Sequence, residues 1–326
     1  METERPAYVS VLEPLTPAIE RVKTMLFRPF NLEKWFIIGF CAFLANLGSG
    51  GGNGGGGPRG GTGGGTRSGS QGLEQALNHA KEYVLANLAW IVPLAIFGFV
   101  LVIAIMLVLT WLSSRGRFMF LHCVAHDKAE VKIPWAKFRE HANSLFLFRI
   151  VLGIAGFLVI LVPIILMIIL IAASVQNHHP AIGAIFGLIF FGFTIFLIAI
   201  CLGLIGKFTT DFVIPIMFLR TVSIRAAWHE FMSIFSVNKG RFFVYFLFQI
   251  VISIAIGVIL LAIGVFTCCC ACCLSAIPYI GTVVLLPIFI FSRSYSLYYL
   301  RQYGRQFDVF GNENENPQPQ LSENPI

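Results

Sequence analysis

Two ionisable residues stand where an apolar helix tolerates them least, and chemistry is sought there first. Asp211 lies between a long apolar run and the segment Phe212 to Leu219, and Arg293 interrupts the last apolar run. Charged groups in such places usually pair with one another or line a polar cavity. The pattern suggests a buried Asp211–Arg293 ion pair, with a structural role favoured over a role in a transport path. A second constellation is Cys268, Cys269, Cys270, Cys272 and Cys273. Thiolate clusters bind zinc or copper, or form disulfides in an oxidising compartment. Consecutive helical residues point about 100° apart, so five neighbours cannot converge on one ion. Packing as small apolar side chains therefore ranks first, a disulfide or lipid modification second and a metal third. His122 and His126 share a helical face and could supply two metal ligands, but Cys123 stands where the zinc-protease pattern needs Glu. His178 and His179 precede Pro180 in a tight connection and read as turn residues.

The elements that must position these groups are helices in a membrane. The apolar fraction of the 326 residues is 57% and the charged fraction only 12%, against about 25% charged in a soluble globule. Mean hydropathy is +0.80. The apolar runs are continuous rather than alternating, which selects helices over barrel strands. Six spans are expected, at Leu32–Leu47, Leu88–Leu112, Phe146–Val175, Ala181–Gly206, Phe242–Phe266 and Ala276–Leu300. The first is the weakest, because its clean apolar part is short. The fold class is thus an all-α membrane protein with six transmembrane helices. Pro93, Pro163 and Pro287 each fall inside a span.

Lys and Arg fix the orientation. The segment before the first span holds Arg5, Arg21, Lys23, Arg28 and Lys34, and the gap after the second holds Arg115, Arg117, Lys128, Lys132, Lys137, Arg139 and Arg149. The gap after the fourth holds Lys207, Arg220, Arg225, Lys239 and Arg241, whereas the gaps after the third and fifth hold none. Both termini are expected in the cytoplasm of a multi-pass protein of the cytoplasmic membrane. The first 34 residues mix Glu and Arg and read as a cytoplasmic segment rather than a signal peptide. Tyr295, Tyr298, Tyr299 and Tyr303, with Trp35, Trp90 and Trp111, are expected in aromatic belts. The net charge of +7 gathers at span ends, which points to membrane lipids and not to nucleic acid.

Residues 1–34 form a cytoplasmic amphipathic segment, 35–304 the membrane domain and 305–326 a polar tail expected to be disordered. Residues 48–72 are a glycine-rich outer loop without the Gly-Lys-Ser/Thr end that a phosphate-cradling loop needs. Pro14 to Phe27, Phe118 to Leu145 and Ile224 to Val237 mix apolar anchors with charges, as cytoplasmic interfacial helices do. Arg115, Arg117, Lys132 and Lys137 are the expected contacts to anionic headgroups, at about 1 kcal/mol for each cation near the surface. Phe146-Leu147-Phe148-Arg149-Ile150-Val151 parallels Phe246-Leu247-Phe248-Gln249-Ile250-Val251, and a Trp-x-x-Phe helix precedes each. This suggests three parallel hairpin repeats.

The blocks Phe27-Arg28-Pro29-Phe30-Asn31-Leu32-Glu33-Lys34-Trp35, Arg115 to Phe120, Asp211 to Met217 and Pro278 to Val283 resemble an uncharacterised prokaryotic family of six-span membrane proteins, a domain of unknown function. More distantly the chain is similar to the membrane domain attached to some glycerophosphodiester phosphodiesterases, but this chain has no phosphodiesterase domain. The resemblance implies an architecture and no catalytic residues. No cofactor, metal or catalytic set is expected, since no Ser/His/Asp or paired-carboxylate group converges. The reading is a non-enzymatic, lipid-organising or accessory membrane component with lipids and a membrane-protein partner. The alternative is a transporter or channel for an apolar or zwitterionic solute, with Asp211 and Arg293 in its path.

Overall fold

The computed structural model describes residues 9–47, 87–176, 182–266 and 278–311. The Cys268–Cys273 cluster, His178, His179, residues 48–72 and most of the tail lie outside them. Every regular element among the described residues is helical. In chain order these are α1 (Leu15–Phe27), α2 (Leu32–Asn46), α3 (Leu88–His126), α4 (Lys132–Lys137), α5 (Arg139–Gln176), α6 (Ile182–Phe208), a π-turn (Thr209–Val213), α7 (Ile214–Arg220), α8 (Ile224–Val237), α9 (Lys239–Phe266), α10 (Pro278–Val284), α11 (Leu286–Arg301) and a 3-10 turn (Arg305–Phe307).

Four stretches are long and apolar enough to cross a membrane: Ala89–His126, Arg139–Ser174, Ile185–Arg220 and Lys239–Val265. α3 has 39 residues, or about 58 Å at 1.5 Å per residue. That is nearly twice the roughly 30 Å hydrocarbon layer. The surplus forms a packed end. The apolar halves of α3, α5, α6 and α9 are largely exposed, while the buried residues gather where these helices meet α1, α2, α8 and α11.

Local sequence explains the joints of this packed end. Asn31 caps α2 by accepting from the Glu33 and Lys34 backbone N–H groups. Asp127 ends α3 in the left-handed conformation at φ 51°, which Asp adopts more readily than most residues. Its carboxylate meets Lys34 Nζ at 2.9 Å. Arg21 of α1 donates to the last carbonyls of α3, Val124 and Ala125, at 2.9 and 2.8 Å, a common use of Arg at a helix C-terminus.

The sequence expectations need three corrections. Phe118 to Leu145 is not a separate interfacial helix. It comprises the buried tail of α3, the short α4 and the head of α5, because its apolar residues continue the helix above them into the core. The last expected span breaks at Leu285 into α10 and α11. Pro287 therefore starts a helix rather than kinking one, since its missing N–H costs nothing in a first turn. Tyr295 and Tyr299 are fully buried instead of sitting in a belt. Their hydroxyls donate to the carbonyls of Val11 and Arg241 at 2.9 and 3.1 Å. By contrast α1 and α8 form where amphipathic spacing places them. Each buries one face, with Ala18, Met25 and Leu26 on α1 and Ile224, Ala227 and Phe231 on α8.

Candidate functional site

The run Arg115-Gly116-Arg117 on α3 sends three neighbours three ways, as the 100° step of a helix requires. Gly116 faces α2. A Cβ there would come within 2.5 Å of the Ala45 nitrogen and the Leu44 carbonyl carbon, so only glycine permits this backbone approach. Ser113, one turn earlier, donates to the Ala45 carbonyl at 2.9 Å. Arg115 turns outward and Arg117 inward, and the two arginines serve different surroundings.

On the outward side the Arg115 guanidinium lies 4.3 Å from the ring centroid of Trp111 and 4.7 Å from that of Trp135. The two indoles meet edge to face at 6.0 Å. With Ala136 and Arg139 they line a cleft of about 460 Å³. Arg115 is buried, yet its Nε has no hydrogen-bond partner among the described residues. Ring faces attract the cation without using its N–H donors, which remain available to an anion. Lys132, Lys137 and Arg139 are exposed on α4 and the start of α5 beside this cleft. Arg115, Lys132, Lys137 and Arg139 thus form a basic collar at the root of the apolar helices.

On the inward side the π-turn organises a polar junction. The Ile214 N–H bonds to the Thr209 carbonyl, the i→i−5 partner. In an α-helix it would have served Thr210. The next residue that could serve Thr210 is Pro215, which has no N–H. The Thr210 carbonyl is left without a helical donor, and Arg293 Nη1 of α11 fills it. Arg117 Nη1 donates to the Thr210 hydroxyl at 2.7 Å. Arg149 Nη1 reaches the Ser113 and Ser114 hydroxyls at 3.1 and 3.4 Å.

The expected Asp211–Arg293 ion pair is replaced by a closer partner. Asp211 Oδ2 lies 2.9 Å from Lys207 Nζ, four residues back on the same helix, and accepts from the Tyr245 hydroxyl at 3.1 Å. Gln249 Nε2 donates to that hydroxyl at 3.0 Å. Arg293 ends one residue away, on Thr210. Sequence pattern placed Asp211 and Arg293 in one neighbourhood but missed Thr210, Lys207, Tyr245 and Gln249. Two signals were present: the four-residue spacings Lys207–Asp211 and Asp211–Pro215, and the alignment of Arg149 with Gln249.

Below the junction an aromatic cluster locks the elements together. Phe212 stacks on Phe231 at 5.4 Å and meets Phe242 and Tyr245 edgewise or tilted at 5.2 and 5.1 Å. His122 and His126 have ring centroids 4.6 Å apart, and Glu130 Oε2 lies 4.0 Å from His122 Nε2. Among the described residues, no group of three His, Cys, Asp or Glu side chains is arranged to hold a metal ion.

A family of unknown function, DUF7544, matches residues 9–286, which include every element of the collar and all of the junction except Arg293. No curated protein and no solved structure matches the chain.

Proposed function

The chain belongs to this family of unknown function; from that premise we propose that it is a non-enzymatic, multi-pass protein of the cytoplasmic membrane. It organises anionic lipid at the cytoplasmic face, alone or as an accessory to a membrane-protein partner. The observation that carries this reading is Arg115, buried between Trp111 and Trp135 with no protein acceptor for Nε and opening on a cleft it shares with Arg139. Tryptophan and arginine are the pair that a membrane–water boundary favours, one for its amphipathic ring and one for its phosphate-matched fork. Arg117, which faces the junction, leaves the set of headgroup contacts, and Arg139 joins it.

Six crossings are part of this proposal, and chain connectivity supports the count. Ala45 of α2 lies against Ser113, yet α3 begins at Leu88, 25 residues or about 37 Å further along the same helix. At the other end, Phe266 lies about 25 Å beyond Gln249 on α9, while the Tyr279 hydroxyl of α10 donates to the Phe36 carbonyl at 2.9 Å. Positive charge at the packed end supports the reading that this end, with both termini, faces the cytoplasm. The three-repeat reading is supported by Arg149 and Gln249, equivalent positions that both feed the junction.

The test is lipid retention by the full chain. Purified in a neutral detergent and exposed to mixed liposomes, the protein is expected to enrich phosphatidylglycerol over phosphatidylcholine. Combined Arg115→Gln, Lys132→Gln, Lys137→Gln and Arg139→Gln substitution should abolish the enrichment. Equal enrichment in the substituted protein removes the collar from the function. A transporter remains the second reading, favoured by the polar π-turn inside an apolar helix. Solute flux in proteoliposomes that survives Asp211→Asn and Arg293→Gln would end it.

A further inference from the structure

We propose that Arg117, Arg149 and Arg293 together hold one tetrahedral oxyanion of the phosphate class inside the helix junction. This site is separate from the outward collar and does not depend on it.

The first argument is charge. Lys207, Arg117, Arg149 and Arg293 bring four cations to the junction, and Asp211, paired with Lys207 at 2.9 Å, is the one carboxylate there among the described residues. The other ion pairs among the described residues use Asp127, Glu130, Glu230 and Asp308 on different partners. No salt bridge among the described residues joins a carboxylate to Arg117, Arg149 or Arg293. Arg293 is 7% exposed. An ion taken out of water carries a penalty of several kcal/mol unless an opposite charge offsets it.

The second argument is hydrogen bonding. A guanidinium has five N–H donors. Each of these three places one nitrogen on neutral protein oxygens: the Thr210 hydroxyl, the Thr210 carbonyl, and the Ser113 and Ser114 hydroxyls. The remaining donors meet no protein acceptor among the described residues.

The third is convergence. Arg117 and Arg293 both end on Thr210, and Arg149 ends on Ser113, one helical turn from Arg117 on the same face of α3. Two planar forks that meet at Thr210, with a third a helical turn away, suit an acceptor with several oxygens in different directions. A phosphate offers four, a carboxylate two, and chloride a single centre. The junction lies at the root of the apolar helices, where a phospholipid phosphate or a free phosphate could each supply this chemistry.

The experiment uses the full chain, delipidated in neutral detergent, with thermal unfolding followed against inorganic phosphate at constant ionic strength set by chloride. A saturable rise in melting temperature is expected with phosphate and not with chloride. Arg149→Gln should weaken the response about 10- to 100-fold in phosphate concentration, the loss of one charged hydrogen-bonding group. Arg225→Gln, at an exposed position on α8, should leave it unchanged. Native mass spectrometry on the same preparations separates the sources. If free phosphate does nothing but one phospholipid survives delipidation and is lost from Arg149→Gln, the anion is a headgroup. If the wild-type chain shows neither a phosphate-specific rise nor a retained phospholipid, the proposal is overturned, whether or not the variant folds. A response that Arg149→Gln and Arg117→Gln both leave intact overturns it equally.

Discussion

Along α3, the stretch from Leu94 to Val108 and the stretch from Ser113 to Ala125 are both helical, yet they obey opposite rules. In the first, Leu94, Phe97 and Phe99 are each more than 60% exposed; in the second, Leu121, Cys123 and Val124 are wholly buried. The outer stretch needs only to be apolar, because lipid tails make no demand on shape. The inner stretch must fit α1, α2, α5 and α11, so particular residues matter there: a glycine where backbones touch, and hydroxyls where arginines end. Specificity is concentrated at one end of the molecule, and the polar chemistry gathers with it.

The comparison is broken most directly at Phe212. Phe212→Ala should cost about 3–5 kcal/mol, because Phe231, Phe242 and Tyr245 all pack on that ring. Phe193→Ala, on the exposed half of α6, should change stability by less than about 0.5 kcal/mol. Thermal unfolding of both variants in the same detergent decides it, and equal losses would mean that the apolar half is as tightly packed as the core. Asp211→Asn leaves Lys207 buried without its counter-charge and should cost about 3–5 kcal/mol. Adding Lys207→Met should recover most of that loss. If the double variant is no better than the single one, the pair is not what Asp211 stabilises.

Smaller effects sharpen the same contrast within one helix. Gly116→Ala forces a Cβ into the α2 backbone and should cost about 1–3 kcal/mol. Gly98→Ala, with open space around its Cα, should be neutral or slightly stabilising, since alanine favours helix by about 1 kcal/mol. Matched melting temperatures would contradict the close α2–α3 contact. The smallest effect belongs to the collar. Arg139→Gln alone should weaken phosphatidylglycerol binding by about 1 kcal/mol, read as a shift in a lipid titration, with no change in melting temperature.

Much of the architecture was legible because it depends on local pattern. Apolar runs marked the four long helices, and amphipathic spacing marked α1 and α8. The unread part was the way the long helices continue past the apolar zone. Hydropathy separates apolar from charged residues, but both lipid-facing and core-facing surfaces are apolar. Nothing in composition distinguishes Phe97, exposed to lipid, from Phe212, buried among rings. The tyrosines near the last helix failed for the same reason: an amphipathic ring suits a membrane boundary and an aqueous-side core equally well, and only the carbonyls of Val11 and Arg241 choose between them.

The sequence by itself determined an all-helical chain with apolar helices long enough to cross a membrane. These follow from backbone hydrogen bonding and from residue polarity, which act over a few turns. What lies opposite each residue belonged to the tertiary structure alone. The π-turn before Pro215 freed the Thr210 carbonyl, and helix packing brought Arg293 to it from more than 80 residues away. Lys207 was nearer to Asp211 than Arg293 could be. Which cations form no salt bridge is a property of three-dimensional neighbours, and the arginine junction became visible only once those neighbours were in place.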